Sequence, residues 1–179
     1  MRVGEVCYVH ATCFYLVDPM IRALQEFAKS GKVVWGTCAG CILLSDHVSS
    51  VLGGGTNEGN VHLEAVKASS LYGDHHIGGI DINTCRNFFG RQTRSFETKT
   101  LKSSVPEFSE YPCVFIRAPA IVTVGPMATN LASIMHNNEE IIVAAQQGNL
   151  LSTCFHPELT NDTRIHEYFL KLVMKQAIG

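Results

Sequence analysis

Apolar positions follow a helical period in two stretches and fall into short runs elsewhere. Ile21, Leu24, Phe27 and Ala28 share one face of a 3.6-residue repeat. Asp18 suits the N-cap, Pro19 the first helical position and Gly31 the stop, so a helix is predicted over 19–29. The run Val33-Val34-Trp35 predicts a strand over 33–36, and a second helix follows almost at once over 39–45. Further strands are predicted over 61–67, 77–83, 95–100, 113–116, 141–146 and 150–155. Gln147-Gly148-Asn149 supplies a hairpin-like turn between the last two, and Pro112, Pro119 and Pro126 mark loops. A final helix is predicted over 162–177, capped by Thr160 or Asn161 and striped by Ile165, Phe169, Leu172 and Val173. Helices alternating with strands through short connections imply an α/β layered fold. No repeat or linker interrupts the 179 residues, so one domain over 1–179 is expected.

Composition narrows the class of protein. Hydrophobic residues make up 46% and charged residues 17%, as in an ordinary globular protein. A net charge of −2 offers no electrostatic footing for nucleic acid or an anionic membrane. No apolar run approaches the ~20 residues of a membrane span. Glu5 and His10 interrupt the apolar start, so no secretory leader is expected. The 7 cysteines are odd in number and irregularly spaced, which argues for a reducing, cytoplasmic compartment. Cys85, Cys113 and Cys154 lie in apolar surroundings and read as core residues.

Chemistry concentrates in two distant segments. Gly36-Thr37-Cys38-Ala39-Gly40 places a thiol between glycines where a strand turns into a helix, the thiol form of a nucleophile elbow. The following helix N-terminus is expected to lower the thiol pKa, and the Ala39 N–H can donate to an oxyanion. Phe155-His156-Pro157-Glu158 places an imidazole and a carboxylate two residues apart, on one side of an extended segment. Nucleophile, base and orienting acid together point to cysteine-dependent acyl transfer. The plainer alternatives are a buried cysteine in a tight turn and a histidine in a surface turn. Cys38-x-x-Cys41 also fits a redox pair or half a metal site, but no second Cys/His pair has zinc-ligand spacing, and Cys41 beside Ile42 and Leu43 suits core packing. His47, His75, His76, His136 and His166 lack such a pattern. The glycine-rich stretch over 52–60 has no lysine for a phosphate cradle and reads as a surface loop.

The segments Val34 to Gly40 and Phe155 to Thr160 resemble those of the class I, triad-type glutamine amidotransferases. Arg86-Asn87-Phe88-Phe89-Gly90-Arg91-Gln92, continuing to Ser95-Phe96-Glu97, and Val114-Phe115-Ile116-Arg117-Ala118-Pro119 are similar to the glutaminase subunits of pyridoxal 5′-phosphate synthase. The resemblance runs over roughly 19–175 and leaves 1–18 unmatched. It implies a flavodoxin-like three-layer α/β/α fold and hydrolysis of L-glutamine to glutamate and ammonia. The ammonia would pass to a synthase subunit in a hetero-oligomer that makes the vitamin B6 cofactor. By the same resemblance Cys38 is the nucleophile, His156 the general base and acid, and Glu158 the group that holds the imidazole. Arg86, Ile116 and Arg117 would bind glutamine, arginine being suited to a carboxylate. No cofactor or metal is required for the hydrolysis.

The family's first strand, with its Leu-Gln-Gly motif, has no counterpart here. Neither does its Gly-Gly-Glu-Ser loop, which supplies a second oxyanion amide. An N-terminally truncated fold is therefore expected, with partner binding completing the oxyanion geometry. Two alternatives stand beside the glutaminase: a catalytically impaired relative acting as a binding or regulatory subunit, and a cysteine hydrolase of similar fold.

Overall fold

The computed structural model describes residues 7–9, 18–50, 65–86, 88–89, 96–99 and 102–178. The expected loop over 52–60 lies outside them, as do residues 61–64 of the strand expected over 61–67.

Strands are β1 Cys7–Val9, β2 Val34–Thr37, β3 Ser45–Ser50, β4 Val66–Lys67, β5 Ile80–Arg86, β6 Phe96–Lys99, β7 Lys102–Ser103, β8 Pro112–Phe115, β9 Ala120–Val124, β10 Thr129–His136, β11 Glu139–Gln147 and β12 Leu150–Thr153. Helices are α1 Asp18–Lys29, α2 Ala39–Leu44, α3 Ala68–Tyr72 and α4 Arg164–Ile178. A 10-stranded mixed sheet runs in the order β1-β2-β12-β11-β9-β5-β3-β4, with β10 joined to β11 and β7 to β10, while β6 and β8 form a separate pair. The strands β1, β2 and β12 are parallel neighbours, as are β3 and β5. The remaining pairs are antiparallel.

Consecutive residues of β2 set the layers. Successive strand side chains point to opposite faces. Trp35 packs under α4, its ring 5.2 Å from those of both His166 and Phe169. Gly36, next in line, lies under α2, where an added Cβ would fall 2.8 Å from Leu44. Helices therefore cover both faces of the sheet at β2, as the α/β reading requires. The main core joins Val33, Val34 and Trp35 to Ile80, Ile82, Phe115, Val143, Leu151, Phe155, Ile165 and Phe169.

Several elements depart from expectation for local reasons. The helix expected to reach Ser45 stops at Leu44, because Ser45 is extended (φ −76, ψ 135) and its hydroxyl donates to the Cys41 carbonyl at 2.7 Å. The strand expected over 77–83 occupies Ile80–Arg86 instead. Gly78 (φ 68) and Gly79 (φ 104) take left-handed backbone that a strand cannot continue through, and the Ile77 and Gly78 amides both donate to the Leu43 carbonyl. Strands β9 and β10 occupy a stretch where no strand is expected, and Pro112, expected in a loop, is the first residue of β8. At the start of α4 the Asp162 carboxylate, not Thr160 or Asn161, accepts the Arg164 N–H at 3.1 Å. Thr160 instead takes the Asp162 N–H at 3.3 Å.

Candidate active site

The parallel pairing of β2 with β12 brings the two chemical segments together. Thr37 stands opposite Thr153, and the Cys38 N–H donates to the Thr153 carbonyl at 2.9 Å. Cys38 thus begins where β2 ends, and His156 leaves the same edge three residues after Thr153. The elbow itself is tight. Cys38 has φ 49 and ψ −106, left-handed backbone that a residue with a Cβ seldom takes. The flanking glycines serve close approach: an added Cβ on Gly36 would collide with the Gly40 carbonyl.

Burial governs the thiol. Cys38 is buried, and desolvation pushes its pKa up from 9.0 to about 11, with the nearby Cys41 sulfur and Glu158 carboxylate adding to the rise. The Ala39 amide acts in the opposite direction, by hydrogen bonding to the sulfur. The expectation of a lowered pKa is therefore corrected. The helix behind the thiol has only six residues, and burial outweighs its end. Cys38 is a thiol at neutral pH and needs a base.

His156 and Glu158 meet through a turn rather than along a strand. His156 is followed by a short 3-10 turn, Pro157–Leu159, in which Pro157 fixes the first φ. That turn brings His156 Nδ1 within 2.8 Å of Glu158 Oε1. An ionised carboxylate only accepts, so in this pairing the imidazole N–H sits on Nδ1. The segment is pinned on both sides. The His156 N–H donates to the Val114 carbonyl of β8 at 2.9 Å, and the Tyr111 hydroxyl lies 2.9 Å from Thr160 Oγ1. His156 is buried, while the Glu158 side chain keeps 28% of its exposure.

The other expected residues arrive from neighbouring strand ends. Ile116 and the left-handed Arg117 (φ 48) directly follow β8, two and three residues past the Val114 carbonyl that holds His156. Both are exposed. Arg86 closes β5, two residues beyond Thr84. Thr84 Oγ1 lies 3.8 Å from Cys41 Sγ, which in turn lies 3.8 Å from Cys154 Sγ. This buried row of thiols and hydroxyls ties the ends of β5, α2 and β12 together behind Cys38. Burial pushes the Cys154 thiol well up. Its contact with the Cys41 sulfur, in which either S–H can donate, is the largest influence favouring charge on Cys41. The Cys41–Cys154 contact has no signal in the sequence, since 113 residues separate the two. Among the described residues no group of three His, Cys, Asp or Glu side chains could hold a metal ion, and no helix is long and apolar enough to cross a membrane.

Residues 15–175 match the SNO glutamine amidotransferase family. The chain belongs to this family. A probable pyridoxal 5′-phosphate synthase subunit of Arabidopsis thaliana is 42% identical over 89% of this chain and 65% of its own length. A pyridoxal 5′-phosphate synthase subunit of Brevibacillus brevis is 40% identical over 86% of this chain and 66% of its own. The chain thus spans about two thirds of the length of these curated relatives. A crystal structure of a glutamine amidotransferase superposes with a TM-score of 0.66 at 27% identity, covering 94% of this chain and 79% of that one. The α/β fold is that of the glutamine amidotransferases.

Proposed function

We propose that this chain is a glutaminase that hydrolyses L-glutamine and feeds ammonia to a pyridoxal 5′-phosphate synthase subunit. Family membership supports the reaction class. The 2.8 Å bond between His156 Nδ1 and Glu158 Oε1, set at the strand edge where Cys38 begins, carries the assignment of roles. The synthase partner follows from the relatives, which are named as subunits of that enzyme. A reducing, cytoplasmic setting fits the five buried free thiols of the described residues.

His156 Nε2 takes the Cys38 proton as the sulfur attacks the side-chain amide carbon of glutamine. The carbonyl electrons move onto oxygen, and the Ala39 N–H donates to the resulting oxyanion. As that intermediate collapses, the C–N bond breaks and His156 passes its proton to nitrogen, releasing ammonia. Water, deprotonated by His156, then attacks the thioester. The C–S bond breaks, glutamate leaves and the Cys38 thiol is restored. Glu158 stabilises the imidazolium in both halves. Arg86, Arg117 and the backbone at Ile116 hold the amino-acid end of the substrate, guanidinium matching carboxylate.

The test is ammonia release from glutamine with a synthase subunit present. Cys38→Ala is expected to lower the rate about a thousandfold or more, and Glu158→Gln by up to about ten-thousandfold in kcat through loss of the correct tautomer. Absence of Cys38-dependent ammonia release from the folded complex would defeat the proposal.

A further inference from the structure

We infer that Tyr72 is a positioning residue for Arg86, its ring face holding the guanidinium ready for the substrate carboxylate. The inference rests on the proposed glutamine-binding role of Arg86. Arg86 Cζ lies 5.8 Å from the centroid of the Tyr72 ring, within range of a cation–π contact. Tyr72 is the last residue of α3 and packs against Ile42, Val48 and Ala68, so the ring is braced by its own small core. It also stacks on the ring of His76, with centroids 6.2 Å apart and planes 24° from parallel. His76 is tied to α1 in turn, because Gln25 Nε2 donates to its carbonyl at 2.6 Å. Burial holds the His76 pKa down against the pull of Asp46, so this neighbour is neutral and does not repel the arginine.

Two observations say that the ring face, not the hydroxyl, is what matters. The Tyr72 hydroxyl is buried with no hydrogen-bond partner among the described residues. A tyrosine used for its O–H would place it against an acceptor. Among the described residues no carboxylate pairs with Arg86. A guanidinium held over a ring by its charge forms no hydrogen bond to that ring and keeps its N–H donors for a planar carboxylate. The ring contact and substrate binding therefore do not compete. The contact is the same in the ground and transition states, so its loss acts on KM and not on kcat.

The experiment is steady-state glutaminase kinetics of the complex with a synthase subunit. Glutamine affinity is measured in parallel by calorimetry in a Cys38→Ala background. Tyr72→Leu is expected to raise KM and Kd about threefold to tenfold with kcat within about twofold, the scale of one partly buried cation–π contact. Tyr72→Phe keeps the ring, loses only the hydroxyl and stays within about twofold of the parent. Tyr72→Leu combined with Arg86→Ala should be no worse than Arg86→Ala alone, the mark of coupled residues. Tyr72→Met, which lacks a ring, makes the same test if the leucine variant does not fold. Raised KM in Arg86→Ala with unchanged KM and Kd in Tyr72→Leu overturns the inference alone. Unchanged KM and Kd in Arg86→Ala overturns the carboxylate role of Arg86, and the inference with it.

Discussion

Cys38 combines two features that act against each other. Its backbone is strained, a cost of about 1–3 kcal/mol met by the surrounding elbow, and that strain holds the sulfur at the strand edge. Its burial keeps the sulfur protonated, so reactivity waits for His156 and for substrate. The sign follows from the raised pKa: the folded chain favours the neutral thiol, and the thiolate appears only as pH climbs toward about 11. Alkylation of Cys38 by iodoacetamide in the chain alone should therefore rise about tenfold per pH unit from 7 to 10, with peptide mapping to isolate this site. A rate that levels off near neutral pH would mean an activated thiolate and would refute the dominance of burial. Among the histidines, His156 was distinguishable by its neighbour Glu158. His76 was not, because nothing local in Asp74-His75-His76 says that the ring will be buried against Tyr72.

The junction of β2 and α2 is where an element boundary and a functional position coincide. Gly36 has no room for a methyl: its Cβ would meet the backbone carbonyl of Gly40, which cannot swing aside as a flexible side chain can. Gly36→Ala should cost on the order of 1–3 kcal/mol or more, read as a lower urea midpoint at unchanged slope. A midpoint equal to the parent's would show that the elbow opens freely and that the close approach is not needed. This junction was legible in the sequence because glycine, thiol and flanking apolar run are all local signals. So was α1, whose cap, stripe and stop lie within its own residues. Strand β10 was not legible. Leu131, Ala132, Ser133 and Ile134 are all buried in it, so no alternation marks a strand. Strand β3, Ser45–Ser50, is mostly polar and is held by pairing with β5 and β4 rather than by its own pattern. The motifs of the site could be read from sequence, but their meeting could not. It depends on the parallel register Thr37 to Thr153, a contact across more than a hundred residues.

At the scale of the molecule, the main core is continuous from Val33 to Val173 and draws on strands from both sides of β11 as well as α4. A smaller cluster, Ile42, Val48 and Ala68, sits under α3. Whether these behave as one folding unit is decided by what joins them. Helix α2 contributes Cys41 and Leu44 to the large core and Ile42 to the small one, so the two clusters share an element. Cooperative unfolding follows, because opening the small cluster strips cover from the large one. The single tryptophan is well placed to report this. Trp35 is buried in β2, donates through Nε1 to Thr153 Oγ1 at 3.1 Å and contacts α4. Its fluorescence senses the main core, whereas far-UV circular dichroism sums over all elements. The two signals are expected to trace one urea transition with coincident midpoints. A circular-dichroism change that precedes the Trp35 transition would mean that β3, β4 and α3 open as a separate unit, against a single domain.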